Sequence, residues 1–150
     1  MRPIAHPLTV LRAMQRFRTI MFESATVHLL LQMRKSFGSI ELQTSKENEL
    51  WTFMGPRYKT SIPEQNIVLW CPVGHLLKKF YKPQMEGLSP TTIFHEFPET
   101  QIAIPDVSMA EHLVDIHDNY HPSEWKEQLN KLKLHSHIWE LTNETLAMLR

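Results

Sequence analysis

The chain is short of cysteine, glycine, net charge and long apolar runs, and each shortage removes a class of explanation. Its one cysteine, Cys71, excludes an internal disulfide and fits a reducing compartment. Four glycines lie scattered along the chain, so there is no glycine-rich loop to cradle a phosphate. No serine stands in a Gly-x-Ser-x-Gly setting, which excludes a nucleophile elbow. Formal net charge is zero. Bulk nucleic-acid binding needs a cationic surplus against phosphate, so that class is not expected. The apolar runs are a few residues long, far below the roughly 20 that span a bilayer, and no segment has a signal-peptide layout.

What remains is an ordinary composition for a globular protein, 42% apolar and 21% charged over 150 residues. That length suits one domain, which buries about 68–70% of its unfolded surface without a staple. We divide 1–150 into a basic extension (1–19), a core (20–137) and a C-terminal helix (138–150). Charge is uneven: Arg2, Arg12, Arg16, Arg18, Arg34 and Lys35 face only Glu23 in the first 35 residues, so the remainder is acidic. An Arg-rich amphipathic start resembles an organellar transit peptide. The plainer reading is a basic helix docked on an acidic body.

The spacing predicts a helix from Leu8, with one apolar stripe (Val10, Leu11, Met14, Phe17, Met21) followed by a second (Phe22, Ala25, Leu29, Met33, Phe37) and a stop at Gly38. The aromatic and branched residues of 49–54 and Ile67–Trp70 predict an antiparallel hairpin, joined by a long loop over Arg57–Asn66. Pro72 opens a helix that must end before Pro83, and Ser89-Pro90 opens another, reaching about Glu96. Residues 97–105 read as loop. Ser108 with Glu111 forms a capping box for a helix that breaks near Asp118–Pro122. Pro122 begins the next, with Trp125, Leu129 and Leu132 inward, and a last amphipathic segment covers 138–149. The fold class is α+β, mostly helical, with one small hairpin.

Three chemistries deserve weighing. Cys71 at the start of a helix sits where dipole and amides favour a thiolate, and His117, oriented by Asp118, would be its base. Against that, a single cysteine on an apolar strand is usually a small buried hydrophobe. His117 and His121 stand i and i+4, a metal-sharing spacing, but the helix is expected to break between them. His75, His95 and His112 supply no further spaced ligand set, so neither metal nor cofactor is expected. Surface contact is the third: Arg12, Arg16 and Arg18, with Arg57, Tyr58 and Lys59 of the loop, are the residues expected to meet a partner.

The set Cys71-Pro-Val-Gly74, Leu76-Leu77, Tyr81, Pro83, Met85-Glu-Gly87, Ile116-His-Asp118 and Pro122-Ser-Glu-Trp125 resembles a family of small phage and bacterial proteins, over about residues 20–137. The helix bearing Val27-His-Leu-Leu30 resembles that family's opening helix. This chain departs from it in having Pro72 for a small residue, His75 where a second cysteine is frequent, a longer 55–66 loop and the basic extension. The resemblance implies a source rather than a reaction: a phage or prophage accessory protein in the bacterial cytoplasm. It would bind a host or phage protein and inhibit a host defence or nuclease complex; a homodimer, the commonest symmetric oligomer, is specified by nothing in the sequence. A Cys71-dependent hydrolase or transferase is the alternative from chemistry, and a His117/His121 metal domain the other.

Overall fold

The structure, a computed structural model, describes residues 7–35, 57–62 and 66–150. It is a mostly helical α+β fold. Helix α1 (Pro7–Lys35) runs 29 residues without a break, so the change of stripe near Thr19–Phe22 is a change of buried face on one helix. Proline fits its first position, where no intrahelical N–H bond is lost. The expected stop at Gly38 and strand at 49–54 lie outside the described residues.

The hairpin differs from the expectation. Strand β1 is Lys59–Ile62, inside the segment read as loop, and it pairs antiparallel with β2 (Ile67–Trp70), Lys59 opposite Trp70 and Ile62 opposite Ile67. Lys59-Thr-Ser-Ile alternates polar and branched residues over only four positions, too short to stand out against the richer 49–54 stretch. Asn66, at φ 52, takes the left-handed conformation at the turn into β2, a backbone region asparagine tolerates well.

Helix α2 (Pro72–Leu77) follows β2 directly. A short 3₁₀ turn, Pro83–Met85, leads to Gly87, whose φ of 82 needs glycine. Helix α3 (Pro90–Glu96) is capped by Ser89, as its sequence predicts. A second 3₁₀ segment, Pro98–Ile102, occupies part of the expected loop. Helix α4 (Val107–Asn119) is capped two residues before the predicted position: Asp106 accepts from Met109 N–H at 2.9 Å. Glu111 bonds instead to Thr91 N–H and hydroxyl, tying α4 to α3. Pro122 opens a 3₁₀ turn that runs into α5 (Trp125–His135), and α6 is confined to Asn143–Met148, shorter than the predicted last segment.

The core gathers Phe22, Ala25 and Leu29 of α1, Val73 and Leu77 of α2, Ile93, Ala110 and Leu113, and Trp125 and Leu129, all fully buried. At about 25 cal/mol per Å² of apolar surface, it is this shared burial that holds the short helices, too brief to be stable alone. Helix α1 packs against α2, α5 and α6 and so spans the body. Its register is fixed by Arg18, whose Nε donates to Asp106 Oδ2 at 2.7 Å and whose Nη2 donates to Ser136 O at 3.0 Å. Gln15 donates to His137 O at 2.7 Å, gripping a turn where His137 holds a φ of 54.

Candidate functional site

Cys71 is 2% exposed and caps α2: its Sγ accepts from Gly74 N–H at 3.2 Å. Its own N–H donates to Tyr58 O at 3.1 Å, which fastens the helix start to the hairpin. Glycine is required three residues on, because a Cβ at Gly74 would lie 2.2 Å from Tyr58 O. The thiol therefore serves a helix of six residues as its capping group.

Beside it lies an imidazole cluster between α1, β2 and α2. The rings of His28 and His75 stack at 4.1 Å and 12°. His28 Nε2 donates to Trp70 O at 2.8 Å, which fixes its tautomer. His75 Nε2 meets Ser24 Oγ at 3.1 Å, while its Nδ1 is buried with no hydrogen-bond partner among the described residues. Burial depresses His28 to about 4, and the nearby His75, Lys78 and His117 push the same way. Burial, then Lys78, also lowers His75. Both rings are neutral at pH 7. Ser24–His75 is a hydroxyl–imidazole pair without the carboxylate that would orient its base.

An imidazole–carboxylate pair joins His117 Nδ1 and Asp118 Oδ1 at 2.9 Å. His117 is 1% exposed and stacks on Trp125 at 5.4 Å. The His117–Asp118 doublet thus lies in the core against Trp125. His121 lies beyond the end of α4 and caps the following turn, its Nδ1 accepting from Ser123 N–H at 3.2 Å. Among the described residues no group of three or more His, Cys, Asp or Glu has a geometry to hold a metal ion.

The partner residues expected from sequence divide in two. Tyr58 is 0% exposed and its hydroxyl donates to Leu88 O, so it presents no side-chain surface; this corrects its assignment to a contact loop. Arg57 Nη1 pairs with Glu86 Oε2 at 3.1 Å, and Glu86 also accepts from the N–H groups of Tyr58 and Lys59. Lys59 Nζ sits over Trp70 at 5.4 Å and Tyr81 at 5.5 Å. Burial, then Glu86, raises Tyr81 to about 12. Residues 57–59 thus brace the hairpin on the 83–87 turn, and Glu86 organises the contact through partners that its sequence setting does not reveal. Arg18 is likewise committed to Asp106.

Arg12 and Arg16 face outward. Around them the first predicted stripe is corrected: Met14 and Phe17 are 56% and 58% exposed, and only Met21 of its described members is buried. The second stripe supplies the core face, and a helix cannot turn both stripes to one body. A groove of about 580 Å³ runs between α1 and the segment before α6, lined by Arg12, Met14, Arg16, Trp139 and Glu140 among others. Trp139 is 66% exposed. Nothing in its surroundings in sequence marked it, since its place beside Arg12 comes from packing.

No family model, curated protein or solved structure matches the chain. Among the described residues no helix is long and apolar enough to cross a membrane.

Proposed function

We propose that this protein acts by protein–protein contact rather than catalysis, using the groove between the N-terminal half of α1 and Trp139–Glu140. The observation that carries this reading is the exposed pairing of Arg12 and Arg16 with Met14 and Trp139 around one groove. Exposed aromatic and arginine side chains are the types that dominate interface energies. The fitting partner is a protein segment with an apolar anchor for Trp139 and acidic groups for the two arginines. The Cys71 and imidazole positions, being buried and engaged with the fold, favour a structural role over a hydrolase or transferase.

The resemblance to small phage and bacterial proteins sets this in a bacterial host. There the protein is a phage or prophage accessory factor, and its target is a host protein such as a defence nuclease complex. The test is capture from bacterial lysate with mass spectrometry, run with the wild type and with Arg12→Glu/Trp139→Ala. A partner held by the wild type and lost by the folded variant supports the reading. Equal capture by both overturns the groove as the contact.

A further inference from the structure

We propose that the ridge formed by Ala13, Phe17 and Ile20 on α1 joins two copies of this chain, with their α1 helices antiparallel. This surface borders the partner groove and shares Arg16 and Glu140 with it, but is carried by a different observation, the exposed Phe17–Ile20 ridge. Phe17 and Ile20 are 58% and 55% exposed, and Ala13 is exposed one turn earlier. Spacings of four and three residues place them in one line, the a/d pattern of a helix–helix seam. Contiguous apolar surface of this kind on a soluble protein marks an association site.

The charges along its edge select the occupant. Arg16 and Glu23 stand seven residues apart, two turns along one flank of the ridge, and carry opposite signs. Both line a groove of about 320 Å³ with Ile20 and Glu140. Glu23 is held in place there, its Oε2 accepting from Thr142 N–H at 3.0 Å. A two-fold contact must be self-complementary, each patch meeting its own copy. With α1 antiparallel, flank meets the same flank in reverse, so Arg16 of each copy lies toward Glu23 of the other. The antiparallel seam therefore joins apolar ridge to apolar ridge and satisfies the charges twice over.

Sedimentation analysis of the full chain over a concentration series tests this. The wild type sediments as a dimer that dissociates on dilution. Phe17→Glu and, independently, Ile20→Lys give monomers with unchanged circular dichroism, because neither residue is in the core. Arg16→Glu weakens association roughly tenfold at low salt, and Arg16→Glu/Glu23→Arg restores it. A wild type that stays monomeric throughout overturns the proposal, whatever else covers the ridge. A dimer that survives both ridge variants also overturns it, and a double exchange that fails to restore association overturns the antiparallel arrangement. Arg12→Glu/Trp139→Ala should leave the dimer intact, so failure here and failure of the groove are read separately.

Discussion

His28 and His75 stack face to face at 4.1 Å, joining α1 to α2 through two neutral rings. Two imidazolium ions cannot share that arrangement, and the neighbouring cation Lys78 adds to the penalty. In the unfolded chain His28 takes its proton near pH 6.5; in the fold it does so only near 4. The unfolded state thus binds more protons between those values. Stability is full above about pH 6.5 and falls as pH drops toward 4, by up to about 3 kcal/mol from this residue, less whatever its partial exposure to solvent screens. Urea unfolding as a function of pH measures it. His28→Gln should flatten the profile in that window, and an unchanged slope would remove His28 as its cause.

Gly74→Ala should destabilise the fold by about 1–3 kcal/mol despite the better helix propensity of alanine, because the new methyl meets Tyr58 O, a backbone atom that cannot swing away. Chemical denaturation of the variant against the wild type measures it. A neutral or stabilising Gly74→Ala would mean that the hairpin does not press on α2 as described.

Arg18 and Arg12 are close in sequence and different in role. Arg18→Ala removes the bonds to Asp106 and Ser136 O that seat α1, and should cost about 1–3 kcal/mol. Arg12→Ala, on an exposed arginine, should stay within about 0.5 kcal/mol. Denaturation midpoints decide; equal costs would contradict the division of the basic segment into a seat and a contact.

Cys71 should resist alkylation in the native state and react only on unfolding, since its sulfur is buried and accepts from Gly74 N–H. Iodoacetamide labelling with and without urea measures this. Rapid native labelling that follows a pKa well below the ordinary 8.5 would revive the nucleophile.

Much of the architecture was legible in local chemistry. Ser89-Pro90, Pro72 and Pro122 mark helix starts because their effects act within a turn, and the inward set Trp125, Leu129 and Leu132 follows from helical spacing alone. Two local readings are corrected: Asp106 rather than Ser108 caps α4, and Lys59–Ile62, read as loop, forms the strand paired with β2. The outward direction of Phe17 was not legible, because α1 carries two apolar stripes and only the body it packs on selects between them. The imidazole stack was equally hidden. His28 sits between Val27 and Leu29 like any residue of an apolar helix, and its partners come from β2 and α2. Glu86 stands out in sequence only as a carboxylate in the Met85-Glu-Gly87 turn, because its three donors come from the distant hairpin strand.

The most direct test sets surface against interior in one binding assay. A captured bacterial partner is titrated with the wild type, with Arg12→Glu/Trp139→Ala and with Cys71→Ala, all shown to be folded. The account predicts that the groove variant loses binding by at least about tenfold while Cys71→Ala binds as the wild type does. Binding that survives the groove variant but fails in Cys71→Ala would contradict it.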